Sequence, residues 1–320
     1  MIDLISAIVG IVFALVATLC FNLAIVFQKK GLNFEPDINI EGGIRGIIKS
    51  FLGLIKNKWW AIGALLGIGG WPFYIISIGL VGVLVTEPVM ASGFLVFVIA
   101  AVKILDEQVS WLEYIAIGML TISPVLLAFA GISNVEFDVY AFVLPLIIFL
   151  SITLFISLLS FYLSKKKRGT SMEALFMMFC GAILFALGGT FTNILARAIV
   201  ISNFNLTWYS LFEILFAIFW WDYSHLLIFL GFWGMAIMNL SSMAFYQGAI
   251  QKGKAVVMYP ILDSIALIIP LVAGLFVFQQ TFENTFLFVI AIIFVMIGSL
   301  VLSRYQAEIE TMDVEDVKEE

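Results

Sequence analysis

The sequence predicts an all-α polytopic membrane protein: nine transmembrane helices, arranged as two inverted four-helix repeats joined by a linker helix, with the N-terminus outside and the C-terminus cytoplasmic. Three observations carry that prediction. First, the 320 residues are 63% hydrophobic and 12% charged, with a mean hydropathy of +1.13, where a soluble globular chain holds roughly 45–50% apolar and about 25% charged residues. A water-soluble particle of this size cannot bury such a surplus. Second, nine apolar segments reach the ~20 residues needed to cross a hydrocarbon layer of ~30 Å. Third, sliding the chain against itself by 172 residues brings Phe73-Tyr74 onto Phe245-Tyr246, Pro88 onto Pro260 and Gln108 onto Gln280.

In chain order the spans run Leu4 to Phe27, Trp59 to Leu80, Val83 to Ile104, Trp111 to Gly131, Val139 to Leu163, Met172 to Ile199, Ser224 to Gly248, Ala255 to Phe278 and Thr285 to Leu302. The first has no basic stretch before it and is too long for a cleaved signal, so it reads as a retained helix. Between the first two lies Gly43 to Asn57, with Ile44, Ile47, Ile48, Phe51, Leu52 and Ile55 on one helical face and Arg45, Lys49 and Lys56 elsewhere. That pattern predicts a basic amphipathic helix suited to an anionic inner leaflet. Its counterpart in the second half, Leu206 to Trp221, is apolar and aromatic, and reads as an outer surface helix. Residues 306–320 carry seven acids against Lys318 and almost no aromatics, which predicts a disordered acidic tail. The resulting divisions are 1–131, the first repeat; 132–170, the linker helix and a basic loop; 171–304, the second repeat; and 305–320, the tail.

Orientation follows from Lys and Arg, which accumulate in cytoplasmic loops. With the N-terminus outside, fifteen of the sixteen fall on the inner side and only Arg197 on the outer. Counting Leu206 to Trp221 as a tenth span would reduce that bias to eleven against five. With one gap the self-comparison also places Asn22 on Asn193. A four-helix unit thus recurs after an intervening fifth helix, and an odd number of crossings between copies turns the second upside down, the inverted repeat of many secondary transporters.

Several function classes fall away on composition. The formal charge of −6 resides in the tail, and the remainder balances, so no basic field for nucleic acid exists. Cys20 and Cys180 lie in apolar runs and His225 is the single histidine, which leaves no zinc-ligand spacing and no Ser/His/Asp hydrolase. Asp263 is the one aspartate deep in a span, where an aspartyl protease needs two. No enzyme and no cofactor is expected.

An ionisable group at membrane depth costs at least ~2.5–3.5 kcal/mol and so calls for a purpose. Glu87, just before Pro88 in the third span, and Asp263, one turn after Tyr259-Pro260 in the eighth, are the clearest cases. Proline removes a backbone donor and disturbs the preceding turn, and prolines at matching places in inverted halves point to a central site. Pro88 and Pro260 are therefore expected as helix breaks, with Glu87 and Asp263 as the ion- or substrate-binding acids and candidate metal ligands. Tyr74, Tyr246, Tyr259, Asn22, Asn193, Asn239 and Gln247 would supply neutral hydrogen-bonding groups around them. Asp106 and Glu107, at the inner end of the third span, and Arg197, near the outer surface, fit a gate or structural clamp.

The stretches QKKGL (Gln28 to Leu32), KNKWWAIGALLGIGG (Lys56 to Gly70), LVTEPVMASGFLVFVIAAVKILDEQVSW (Leu84 to Trp111) and FYQGAIQKGKAVVMYPI (Phe245 to Ile261), with the helix pattern, resemble the drug/metabolite transporter (EamA-like) superfamily and, within it, the NIPA-like magnesium transporter branch. The chain departs from that branch in placing Glu87 before Pro88. The resemblance implies a secondary transporter moving a small solute or cation by alternating access, with Mg²⁺ or another divalent cation as the branch's substrate and H⁺ as a further candidate. Its partners would be the bilayer, that of the plasma (cytoplasmic) membrane, and the transported species. A non-transporting membrane scaffold is the second alternative, although it has no need of carboxylates beside matched prolines.

Overall fold

A chain segment in lipid can satisfy its peptide groups only by hydrogen bonds to itself or to packed neighbours, so long runs of Leu, Ile, Val, Phe and Ala become helices. A computed structural model of the protein describes residues 4–81, 89–90, 93–107, 109–133, 142–201, 210–220, 222–279, 281–298 and 301. The helices are α1 (Leu4–Leu32), α2 (Gly43–Leu54), α3 (Lys58–Val81), α4 (Phe94–Leu105), α5 (Trp111–Ala130), α6 (Val143–Lys166), α7 (Ser171–Ile201), α8 (Ser210–Leu215), α9 (Tyr223–Lys252), α10 (Ala255–Phe276) and α11 (Thr285–Gly298). Beyond these there is a 3₁₀ turn at Ala217–Trp220 and a two-residue antiparallel pairing of β1 (Ile132–Ser133) with β2 (Thr281–Phe282).

Five helices are long and apolar enough to cross a bilayer: Ile8–Leu32, Val143–Lys166, Met172–Leu195, Tyr223–Lys252 and Ala255–Phe276. Val96–Leu105, Trp111–Leu127 and Thr285–Gly298 are shorter apolar helices. Large apolar side chains such as Leu65, Ile68, Leu158 and Leu240 stand on the outside, an arrangement suited to lipid rather than water. These features are those of an integral membrane protein.

Several expected elements differ in detail. In the third span, Val83 to Ile104, the described portion is residues 89–90, which are helical, and Gly93 followed by the twelve-residue α4; residues 82–88 and 91–92 lie outside the described residues. Within Leu206 to Trp221, where an outer surface helix is expected, the described residues form the short α8 and the 3₁₀ turn, with 202–209 and 221 outside the described residues. The tail, 305–320, is also outside them.

Pro260 does not break its helix: α10 runs through both Pro260 and Pro270, as α3 runs through Pro72. The donor Pro260 lacks would have served the Val256 carbonyl one turn earlier, and one such loss is tolerated inside a packed bundle; Pro260's own carbonyl accepts from the Ser264 hydroxyl at 2.6 Å.

Packing pairs α1 with α3 and α7 with α9, and α7 also meets α6 and α10. Glycine permits the closest of these approaches. A Cβ on Gly63 would lie 2.6 Å from the Ala24 carbonyl oxygen, and one on Gly188 would lie 2.5 Å from the Asn239 amide. Along α6, buried Thr153, Ser157, Ser160 and Ser164 form a small polar stripe, and Ser157 Oγ reaches the Cys180 carbonyl of α7 at 3.4 Å.

The ends of α1, α4, α6 and α9 and the starts of α5, α7 and α10 meet at one face, as contacts of Lys29, Glu107, Gln251 and Lys252 require. This face carries the lysines. The core divides accordingly. A large cluster near the basic face draws on both halves, with Val26, Trp60, Phe97 and Ala101 packed with Met178, Ile250, Val256 and Met258. A second cluster, among the described residues, contains only positions from Phe142 onward.

Candidate functional site

Two places gather polar side chains in an otherwise apolar bundle. The first is the basic face. The last turn of a helix leaves carbonyls without donors, and a cation there also complements the helix dipole. Lys29, buried near the end of α1, supplies that cation to a different helix: its ammonium donates to the carbonyls of Ile250 (2.6 Å), Gln251 (3.2 Å) and Gly253 (2.9 Å) at the end of α9.

Gln251 reciprocates, donating through Nε2 to the carbonyls of Leu32 (3.1 Å), Glu35 (2.9 Å) and Pro36 (3.1 Å), while its Oε1 accepts from the Ile38 N–H at 3.1 Å. The C-terminal ends of α1 and α9 thus cap each other.

Glu107 secures the other side of the same turn. Its Oε1 accepts from the Ala255 N–H at 2.8 Å and its Oε2 from the Val256 N–H at 2.9 Å, so a carboxylate from the α4–α5 connection caps the start of α10. An anion suits a helix N-terminus for the same dipole reason. Asp106, just before it, is exposed and closes α4 in the left-handed region, φ 57°, which Asp tolerates better than most residues. Burial pushes the Glu107 carboxyl above the ordinary carboxylate range; the N–H groups of Val256 and Ala255 and the nearby Lys29 and Lys254 pull it back. Beneath this clasp Gln247 is fully buried, its Nε2 donating to Gln28 Oε1 and its Oε1 accepting from Trp60 Nε1 at 3.3 Å. Gln247 is thereby part of the link between α1, α3 and α9.

The second place lies deeper. The Thr18 hydroxyl donates to the Met90 carbonyl at 2.7 Å, and Asn22 Nδ2 donates to the Thr18 carbonyl (2.8 Å) and hydroxyl (3.0 Å). Asn22 is 4% exposed, and its Oδ1 is buried without a hydrogen-bond partner, a state that costs roughly 1–3 kcal/mol unless something occupies it. Gly93 makes the approach possible, because a Cβ there would lie 1.8 Å from Thr18 Oγ1. Glu87 and Pro88, the residues expected at this point of the chain, lie outside the described residues.

On α10, Tyr259 and Asp263 share one face a turn apart, and the Tyr259 ring packs on Phe97 of α4 with centroids 4.9 Å apart. Tyr246 and Asp263 both lie within electrostatic reach of Tyr259, and Asp263 is exposed. Of the other expected residues, Tyr74 sits in an aromatic group with Phe21 (6.3 Å) and Trp71 (5.9 Å). The Asn239 amide donates to the Met235 carbonyl at 2.9 Å and lies over Gly188. Asn193 is exposed on α7, and Arg197 falls near the end of that helix. Among the described residues no three His, Cys, Asp or Glu side chains gather as a metal-ligand group.

Comparison with protein-family models, curated proteins and solved structures returned no match.

Proposed function

We propose that this chain is a secondary transporter of the drug/metabolite transporter type, moving a small solute or cation by alternating access between two inverted four-helix units, with nine spans and the N-terminus outside. The observation that carries the reading is the reciprocal clasp at the basic face, where Lys29, Glu107 and Gln251 close one end of the bundle across its two halves. A shared core at that end, and a far-end cluster that among the described residues begins only at Phe142, are what a bundle closed on the inside would have. Element order supports the repeat: α1 and α7, α3 and α9, α4 and α10, and α5 and α11 correspond at the 172-residue shift and run in opposite senses relative to the basic face.

The transported species binds between the halves, near Asn22 and Asp263, with Glu87 as the second acid. An exposed carboxylate facing lipid would cost at least ~2.5 kcal/mol, so Asp263 faces a polar path. The unpartnered Asn22 Oδ1 favours a species bearing an N–H or O–H donor or a positive charge. That is also the observation favouring the second reading, a NIPA-like permease for Mg²⁺ or another divalent cation, since hard cations take carboxylate and amide oxygens and Mg²⁺ keeps several of its waters.

The test is uptake into proteoliposomes loaded with a magnesium-sensitive dye, comparing wild type, Glu87→Gln, Asp263→Asn and protein-free vesicles. Wild-type flux abolished in both variants supports the divalent-cation reading. No Mg²⁺ flux from folded protein, with counterflow of an organic amine or amino acid that the same variants abolish, supports the solute reading. Flux of either kind unchanged in both variants overturns the site.

A further inference from the structure

At the basic face, outside the clasp, α2, the 35–41 connection, the end of α6 and the start of α7 enclose a cavity of about 660 Å³, within the range of small-ligand sites. Its acids are committed. Glu41 pairs with Arg168 at 3.0 Å, Asp37 and Glu173 with Lys252 at 2.7 and 3.0 Å, and Glu35 accepts from the Asn57 amide at 3.0 Å.

Two of its cations are not. Lys49 of α2 and Lys165 of α6 have no carboxylate partner among the described residues, and the Lys165 ammonium rests over the Phe161 ring, 4.6 Å from its centroid. The four acids and four bases of the lining balance, and Lys49 and Lys165 are the two ammoniums in it that meet no carboxylate among the described residues. Its surroundings are apolar. Ile44, Ile48, Leu52 and Ile55 form an exposed row along α2, and Leu158, two turns before Lys165 on the same face of α6, is 65% exposed. These side chains flank the cavity rather than line it, and acyl chains can lie along them.

We propose that this cavity binds the phosphodiester of an anionic phospholipid from the adjacent leaflet, held by Lys49 and Lys165 with its acyl chains along α2 and α6. Bound lipid would tie α2 to the α6–α7 turn. The inference needs only a bilayer around the protein and is independent of what is transported.

The full chain, purified in neutral detergent, would be titrated with dioctanoyl phosphatidylglycerol, dioctanoyl phosphatidylcholine and glycerol 3-phosphate, with bound ligand counted by native mass spectrometry. Lysine near a lipid phosphate contributes about a factor of five to affinity. Phosphatidylglycerol should therefore bind at least about tenfold more tightly than phosphatidylcholine, and Lys49→Gln/Lys165→Gln should lose about tenfold or more of it. Lys56→Gln/Lys166→Gln, which removes two exposed lysines of the same face outside the cavity, should stay within about twofold. Equal loss in both pairs would reduce the effect to diffuse charge and overturn the site. So would equal affinity for the two lipids, and glycerol 3-phosphate binding as tightly as the lipid would make it a soluble-phosphate site instead. Each single lysine variant repeats the test should the double variant fail to fold.

Discussion

Lys29→Met is the perturbation that separates a closing clasp from ordinary packing. The substitution keeps most of the apolar stem and removes the charge that holds three carbonyls at 2.6, 3.2 and 2.9 Å. Hydrogen bonds to charged groups contribute ~1.5–3 kcal/mol each, but they are not additive here, and removing a buried ammonium recovers part of its desolvation cost. A net loss of about 3 kcal/mol follows, and it falls on the arrangement in which the ends of α1 and α9 meet. The population in which they part should then rise roughly a hundredfold. Met258, fully buried one turn into α10 beneath the clasp, reports that population when replaced by cysteine in a chain lacking Cys20 and Cys180. A membrane-impermeant maleimide should modify Met258→Cys about a hundred times faster in the Lys29→Met background. Lys30→Met, whose ammonium lies over the Trp59 ring instead, should leave the rate unchanged. A Lys29→Met rate within about twofold of the parent, from protein eluting as a single folded species, would refute the reasoning.

Other outcomes follow from the same geometry. Glu107→Gln keeps one acceptor but sets an NH₂ against an N–H at the start of α10; the lost bond is worth about 1–3 kcal/mol, and the Met258→Cys reaction should quicken about tenfold. Gly93→Ala forces a Cβ to within 1.8 Å of Thr18 Oγ1 and should lower stability by ~1–3 kcal/mol, read as a lower thermal midpoint, with Thr18→Ala restoring part of it. At the start of α9 the Asp222 carboxyl caps the His225 N–H at 2.8 Å and is held below its ordinary pKa of 3.8, chiefly by that N–H. A carboxyl depressed in the folded state contributes stability that is present above pH 3.8 and lost as pH falls through the lower folded value. Asp222→Asn keeps a capping side chain without titrating, so its thermal midpoint should fall less on acidification than that of wild type.

How much of this was legible in sequence varied with the range of the interaction. Local pattern sufficed for the long apolar helices and for α2, because apolar run length and a 3.6-residue period are properties of neighbouring residues. At the third span the described residues are helical from Phe94 on, with Gly93 itself in the right-handed helical region. The missing donor of Pro260 suggests a break, yet α10 continues through it, because the cost of one unmade bond is set against the packing of the whole helix, which local sequence does not display.

The clasp was the least visible feature. Lys29 counted only as one of many inner-face charges, since its acceptors lie 221 to 224 residues away and are backbone carbonyls that carry no side-chain signature. Thr18 and the Thr153, Ser157, Ser160 and Ser164 stripe had a signal that went unused, small polar residues at helical spacing inside apolar runs, a common sign of close helix packing. Gln247 was placed in the binding site because an amide in a span invites that reading, and the structure commits it to Gln28 and Trp60.

The central claim, that two halves expose one site to opposite sides in turn, is tested most directly at Asp263. In a chain lacking the native cysteines, Asp263→Cys would be reconstituted in vesicles of known orientation and labelled with an impermeant maleimide from either side, with and without Lys29→Met. The account predicts labelling from the outside only while the clasp is intact, and labelling from the inside, with the outside rate falling, once Lys29 is removed. Labelling from the same side in both backgrounds, or rates rising together on both sides, would contradict it.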